Sequence, residues 1–133
     1  MQLADFIGTW RLVEYHNRTA DGKELDQSYG PEFLGLFLFA PNGRLFVTIA
    51  DGRLKLPVHV KRRPFSAYTG QWRLEGDLLK VDVDESFLTP FVGTTQVRKA
   101  SFVNGRLHLI PDSIVVDGIL NHRELVWERI GPI

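Results

Sequence analysis

The feature that most constrains the fold of this chain is a set of tight-turn dipeptides between runs of apolar residues. Asn42-Gly43 joins FLGLFLFAP to RLFVTIA, Gly76-Asp77 joins YTGQWRLE to LLKVDVDE, and Asn104-Gly105 joins TQVRKASFV to RLHLI. Asn-Gly and related pairs favour two-residue hairpin turns, because these turns need positive φ at their central positions. With TWRLVEYHN near the start and NHRELVWERI near the end, the pattern predicts eight strands and no long helix.

The connections between these strands alternate in length, which predicts how the sheet is arranged. In an up-and-down meander, alternate connections lie at opposite ends, so the three tight turns share one end, the base. The longer links then lie at the other end, the mouth; they are residues 18–32, 51–66, 86–93 and 112–120. Eight antiparallel strands can close into a barrel wide enough for one small ligand, and closure removes exposed strand edges. The sequence therefore predicts an all-β, eight-stranded antiparallel up-and-down β-barrel with a ligand cavity.

Composition and charge limit the classes of partner. A chain of 133 residues forms one domain with a real core, so we expect a single domain over residues 1–133. Sixteen basic residues balance sixteen acidic ones, and no apolar run reaches the length of a membrane helix, so we expect neither a nucleic-acid nor a membrane partner. The chain has no cysteine, which excludes disulfides, thiolate nucleophiles and thiolate metal sites. Its first residues lack a secretory pattern, so we expect a cytoplasmic location.

Five motifs carry a resemblance that spans nearly the whole chain. GTWRL, APNG, YTGQW, VGTTQVR and LVWER, in this order and spacing, resemble the small cytosolic lipocalin-like domain proteins of bacteria and fungi. Gly8-Thr9-Trp10 is similar to the G-x-W signature of the lipocalin and calycin group, whose first strand begins at the closed end. The resemblance implies that Arg129 of the last strand packs on Trp10, a cation-π contact worth about 1 to 2 kcal/mol when desolvated. It does not imply one function, because related barrels include carriers as well as natural-product isomerases and cyclases.

Side chains alternate along a strand, so the turns also predict which residues face the interior. If Trp10 points inward at the base, Glu14 and His16 point inward nearer the mouth. The predicted base is apolar and includes Phe39, Phe46, Trp72 and Trp127, and Phe37 lies opposite Thr48. The predicted mouth half is polar and consists of Glu14, His16, Thr48, Tyr68, Glu85, Gln96, Arg98, Asn121 and Arg123.

This arrangement suits an amphipathic small molecule with its apolar part toward the base and an oxygen-rich head near the arginines. The predicted ligand-binding residues are Thr48, Tyr68, Trp72, Glu85, Gln96, Asn121, Arg123, Phe37 and Phe39. The alternative is that the mouth residues are polar only because water reaches them.

Glu14, His16 and Arg98 are the candidate catalytic residues. Glu14 and His16 are two apart on one strand, with their Cα atoms about 7 Å apart. A partly dry cavity raises the pKa of a glutamate and lowers that of a histidine, which suits acid-base chemistry near neutral pH. We expect Arg98 or Arg123, with Tyr68 or Gln96 as a donor, to stabilise a developing enolate or carboxylate. The alternative for Arg98 is a structural salt bridge. The set suggests isomerisation, cyclisation or dehydration of a polyketide-like compound.

No nucleotide-binding or metalloprotease motif occurs, and the remaining histidines, at 59, 108 and 122, are scattered. We therefore expect no cofactor and no metal. The alternative to an enzyme is a carrier or sensor of a small hydrophobic ligand, and a third possibility is an interaction module.

Two further segments bear on partners. The link over residues 51–66 is basic, which predicts a positive rim at the mouth; its basic residues are Arg53, Lys55, Lys61, Arg62 and Arg63. This rim either attracts an anionic ligand or a phosphate-bearing carrier arm, or simply keeps a loop solvated. FLGLFLFA is apolar on both faces. If its phenylalanines point inward, an outward apolar strip remains that usually meets another surface, which predicts a homodimer. The predicted strip consists of Leu36, Leu38, Leu45, Val47 and Ile49.

Overall fold

The computed structural model describes residues 1–132, which form nine β-strands and two short 3-10 helices. The helices span Leu3–Asp5 and Thr89–Phe91. The strands are β1 (Gly8–Arg18), β2 (Phe33–Phe39), β3 (Arg44–Asp51), β4 (Phe65–Glu75), β5 (Leu78–Ser86), β6 (Thr95–Val103), β7 (Arg106–Pro111), β8 (Ile114–Val116) and β9 (Ile119–Gly131).

Eight of these strands close into an antiparallel barrel. Strands β1 to β7 pair in chain order, β7 pairs with β9, and β9 pairs with β1 along almost its whole length. Strand β8 pairs with β9 alone and extends it as a short hairpin. The predicted eight-stranded up-and-down barrel is therefore confirmed.

Tight turns lie at the base of the barrel, as predicted. Asn104 and Gly105 both have positive φ, 52° and 79°, as a type I′ turn requires. Between β4 and β5, Gly76 adopts positive φ at 63°. The end of β2 lies at the base too, because Phe39 pairs with Gly8 at the start of β1.

One further tight turn lies at the mouth. Asp117 and Gly118 have φ of 51° and 77° and close the hairpin between β8 and β9. The predicted connection over residues 112–120 is therefore largely a hairpin. The Asp-Gly pair between SIVV and ILNH is the same turn signal that located the other hairpins, so this strand was predictable.

The link between β2 and β3 differs from the prediction by one residue. Its loop has three residues, Pro41 to Gly43, with the Gly43 N–H donating to the Ala40 carbonyl and Gly43 in the left-handed region at φ 89°. This is the type I turn followed by a left-handed residue that three-residue hairpins use. The register therefore pairs Phe37 with Val47.

The one-residue shift exchanges the two faces of β3, because alternate side chains lie on opposite faces. Thr48 and Phe46 point outward, so the prediction that they face the interior is wrong, and Thr48 does not line the mouth cavity. Leu45, Val47 and Ile49 point inward, which corrects their place in the outward strip; Leu36 and Leu38 do point outward as predicted. Phe46 is 51% exposed, whereas Leu45 is fully buried.

Trp10 plugs the base of the barrel. Its Nε1 donates to the Phe6 carbonyl at 2.7 Å, and the Arg129 guanidinium carbon lies 4.4 Å from the centre of the indole ring. Arg129 also donates from Nη2 to the Asp5 carbonyl at 2.6 Å. The predicted packing of Arg129 on Trp10 is confirmed, and it ties the first and last strands to the N-terminal 3-10 helix.

Above the plug lies an aromatic core. Phe6 contacts Phe39 and Trp72 with ring centres 5.5 and 5.7 Å apart, and Phe37 stacks on Phe39 at 4.6 Å. Phe6, Phe37, Phe39 and Trp72 are all buried. The base is therefore filled by side chains, and the ligand space inside the barrel lies in the mouth half.

The outer face of β2 to β5 carries a groove of about 530 Å³. Its walls are mainly apolar and include Leu36, Leu38, Phe46, Ala67 and Phe87.

In the part of the chain that the structure describes, no helix is long and apolar enough to cross a membrane.

Candidate ligand-binding site

A cavity of about 140 Å³ lies inside the mouth half of the barrel. Six aromatic side chains and two arginines contribute to its wall. The lining residues are Tyr15, Tyr29, Phe37, Val47, Ile49, Ser66, Tyr68, Leu88, Phe91, Arg98, Leu109, Pro111, Arg123, Leu125 and Trp127. Its lining is thus largely apolar with a few polar groups, as in most small-molecule sites.

Regular alternation on β6 and β9 turns Arg98 and Arg123 into this cavity. Arg98 pairs with Leu79 on one side and Pro111 on the other, and both of those side chains are buried. Arg123 follows the same inward face of β9 as Leu125 and Trp127. The predicted inward positions of both arginines are confirmed.

Neither arginine forms an ion pair with a carboxylate of residues 1–132. Arg98 donates from Nη1 to its neighbour's carbonyl, that of Val97, at 2.8 Å, and from Nη2 to Gln96 Oε1 at 3.2 Å. Arg123 donates from Nη2 to the Asp112 carbonyl at 3.2 Å, while its buried Nε has no partner within the described chain. The cavity therefore contains two cationic groups whose hydrogen-bonding capacity is only partly used.

Two tyrosines of the cavity, Tyr29 and Tyr68, are protonated near neutral pH. Burial raises the pKa of Tyr68, and the charge of Arg98 partly opposes this rise. Burial also raises the pKa of Tyr29, opposed by a hydrogen bond with Ser66. Protonated phenols donate hydrogen bonds, so they add donors to those of the arginines.

The prediction that Glu14 and His16 line the cavity is wrong, because β1 contains a β-bulge. Leu12 pairs with Trp127, but Glu14 pairs with Val126, so the alternation shifts between them. An extra residue in one strand reverses the faces that follow it. Tyr15 and Asn17 therefore point inward and are each only 4% exposed.

Glu14 and His16 lie in a polar cluster on the outer wall instead. Glu14 Oε1 lies 3.0 Å from His16 Nε2, and Glu14 Oε2 accepts from Arg106 Nη1 at 3.1 Å. The hydrogen bond with His16 lowers the pKa of Glu14, the opposite of the upward shift expected in a dry cavity. The side chain of Glu14 is 42% exposed, so this pair has no access to a ligand inside the barrel.

A second bulge corrects the position of Glu85. The register between β4 and β5 shifts between Thr69 and Gly70, so Tyr68 pairs with Ser86 and not with Glu85. Glu85 consequently points outward and borders the outer groove. Gly70 has no room for a side chain here, because a Cβ atom would meet the backbone carbonyl of Asp82.

The remaining predicted residues divide between cavity, base and mouth. Tyr68 and Phe37 line the cavity, while Phe39 and Trp72 belong to the aromatic base below it. Gln96 is not among the residues that line the cavity, but its Oε1 accepts a hydrogen bond from Arg98, which does line it. Asn121 is buried and accepts from Asn17 Nδ2 at 2.7 Å, which ties β9 to β1 at the mouth. Their direct contact with a ligand stays a prediction.

Sequence reasoning missed Tyr15 and Tyr29 as cavity residues. Tyr15 follows the bulge in β1, and Tyr29 reaches the cavity from the loop between β1 and β2, where no periodic pattern assigns a face. The two rings meet edge to face with centres 5.8 Å apart.

Among residues 1–132, no group of His, Asp and Glu side chains is arranged to bind a metal ion.

The basic segment is partly used within its own loop. Arg53 donates to the buried carboxylate of Asp51, and Arg63 donates to the backbone carbonyls of Asp51 and Arg53. This pairing lowers the pKa of Asp51 and orders the loop between β3 and β4. A role of Lys55, Lys61 and Arg62 as a rim for an anion stays a prediction.

The family model described as a lipocalin-like domain matches residues 7–130. No curated protein matches the chain.

Proposed function

Because the chain belongs to the lipocalin-like domain family, we propose that its barrel binds one small amphipathic molecule in the mouth cavity. The acceptor-bearing head of this molecule contacts Arg98 and Arg123, and its apolar part contacts the aromatic wall. The barrel itself supports small-molecule binding in general, and these two arginines support the finer statement.

The observation that carries the proposal is an imbalance of charge. Two arginines line the cavity, while none of its described lining residues is an aspartate or a glutamate. A charged group taken out of water is costly unless it is paired and hydrogen-bonded. An anionic or oxygen-rich ligand would supply the missing acceptors.

Binding is favoured over the predicted acid-base catalysis. Isomerisation, cyclisation or dehydration was expected to use Glu14 or His16, and both lie on the outer wall. The described lining residues include no histidine or carboxylate that could take their place as a general base. We therefore propose a carrier or sensor in preference to an isomerase or cyclase, and a cytoplasmic location stays a prediction.

Native mass spectrometry of the full chain, alone and after incubation with an extract of its source cells, tests this proposal. We expect a discrete small-molecule adduct that Arg98→Gln and Arg123→Gln each remove. Lys99→Gln is the matched control, because Lys99 is the exposed neighbour of Arg98 on the same strand. An adduct that survives both arginine substitutions, or no adduct at all, would contradict the proposal.

We also propose that the outer groove between β2 and β5 supports a homodimer. Leu36, Phe46 and Phe87 are 49%, 51% and 64% exposed on this face, and exposed apolar patches of this kind mark interaction surfaces. Light scattering at micromolar concentration should give twice the monomer mass, and Phe46→Ser should return the monomer. A monodisperse wild-type monomer would refute this part.

A further inference from the structure

We propose that the ligand is a one-ring aromatic carboxylate with a second oxygen acceptor on the side of the ring remote from the carboxylate. This inference rests on the proposed function, since it names the chemical class of the molecule in the mouth cavity. Three features carry it: the size of the cavity, the level at which the arginines lie, and a buried indole N–H.

The size of the cavity gives room for one ring. Its volume is about 140 Å³. An apolar protein cavity of about 150 Å³ accommodates benzene, so a ring with small substituents fits this space. A fatty-acid chain or a polycyclic polyketide exceeds it.

The wall of the cavity favours an aromatic ring over an aliphatic one. Phe37 and Trp127 meet at 82° with ring centres 4.9 Å apart, and Tyr68 and Phe91 meet at 80° and 6.3 Å. Perpendicular pairs present both ring edges and ring faces to the enclosed space. A ligand ring can therefore form the same edge-to-face contacts, which stabilise beyond the burial of apolar area.

The two arginines lie at one level of the barrel and can grip one head group. Arg98 pairs with Pro111. Leu109 pairs with Leu125, and continuing this antiparallel register by two residues places Arg123 level with Pro111. Arg98 and Arg123 are thus two strand spacings apart, about 10 Å between Cα atoms. Two long side chains can bridge this distance to one carboxylate, whose planar pair of oxygens matches the guanidinium fork.

Trp127 offers a buried hydrogen-bond donor at the deep end of the cavity. Trp127 is 1% exposed, and its buried Nε1 has no hydrogen-bond partner in residues 1–132. Along β9 it lies four residues toward the base from Arg123, about 13 Å between Cα atoms. A buried N–H without a partner is destabilising. An oxygen on the ring opposite the carboxylate would accept from this indole.

Isothermal titration calorimetry with three matched probes tests the inference. 4-Hydroxybenzoate has both acceptors, 4-methylbenzoate lacks the ring oxygen, and 4-hydroxybenzamide lacks the charge. We expect the first to bind at least about tenfold more tightly than either of the others, the ratio expected when a donor or a charge is left unpaired.

Two variants separate the two ends of the ligand. Trp127→Phe removes the N–H and keeps a ring, so it should abolish the preference for hydroxyl over methyl while the preference for carboxylate over amide remains. Arg98→Gln should abolish the preference for carboxylate over amide, while the preference for hydroxyl over methyl remains. If Trp127→Phe does not fold, the indole N–H resonance of Trp127 in the wild type replaces it. This resonance should move further downfield with 4-hydroxybenzoate than with 4-methylbenzoate, because only the first probe offers an acceptor to the indole.

The outcomes distinguish this inference from the function on which it rests. Equal affinity for 4-hydroxybenzoate and 4-methylbenzoate would overturn the second acceptor. Binding of decanoate but of no one-ring acid, lost in Arg98→Gln, would overturn the inference and leave the proposed function intact. If neither class binds, the proposed function fails as well.

Discussion

Replacing Arg123 by methionine should stabilise the ligand-free barrel and weaken ligand binding. The buried Nε of Arg123 has no partner in the described chain, and an unsatisfied buried donor costs about 1 to 3 kcal/mol. The substitution also removes the hydrogen bond to the Asp112 carbonyl, worth about 0.5 to 1.5 kcal/mol. The net effect is a gain of about 1 kcal/mol in the free energy of unfolding, or about 3 to 5 °C in Tm for a chain of this size.

Urea unfolding and calorimetry of the ligand-free protein measure this gain, and native mass spectrometry measures the adduct in the same sample. Lys99→Met is the control: its side chain is 65% exposed on the outer face, so its effect on stability should stay within about 0.5 kcal/mol. A stabilised barrel that no longer binds would be a trade-off between stability and function. If Arg123→Met instead lowers the free energy of unfolding by more than about 1 kcal/mol, Arg123 stabilises the fold. If the variant binds the ligand as the wild type does, the contact of Arg123 with the head group is refuted.

Three further perturbations test the fold and the tyrosines. Trp10→Phe loses the indole hydrogen bond and most of the contact with Arg129, so urea unfolding should show a loss of about 2 to 3 kcal/mol; a loss below about 1 would mean that the plug is dispensable. Gly70→Ala forces a Cβ against the backbone carbonyl of Asp82, so its Tm should fall by at least about 5 °C, and an unchanged Tm would mean that the bulge relaxes freely. Burial raises the pKa of Tyr68, so its contribution to stability is present below its ordinary value near 10 and is lost as pH rises through the raised value. Stability measured above pH 10 should therefore fall less steeply in Tyr68→Phe than in the wild type, and identical slopes would contradict this assignment.

The barrel, and which of its ends holds the tight turns, were predictable from the turn residues and the apolar runs between them. Hairpin dipeptides place the tight turns at one end, and alternation from Asn104-Gly105 turns Arg98 inward without knowledge of any other strand. The place of Arg129 on Trp10 followed from the family resemblance, since nothing in their spacing along the chain brings the first and last strands together.

The faces of three strands were assigned less well, for two physical reasons. In β3, Pro41 favours the first central position of a type I turn, which lengthens the loop by one residue and moves Thr48 outward. In β1 and β5, β-bulges reverse the faces of Glu14 and Glu85. A bulge depends on how neighbouring strands fit together when the barrel closes, so it has little local signature; Gly70 is the one hint beside it.

The cavity depends on elements that alternation does not describe. Tyr29 comes from a loop, and Tyr15 faces inward only because of the bulge before it. Strand periodicity therefore predicted the charged part of the site and missed part of its aromatic wall.

A crystal structure of the protein with the small molecule identified by mass spectrometry tests the central claim most directly. We expect the ligand inside the mouth half of the barrel, with acceptor atoms about 3 Å from the guanidinium groups of Arg98 and Arg123. A ligand seated on the outer groove against Leu36 and Phe46, with both arginines unchanged, would contradict the account.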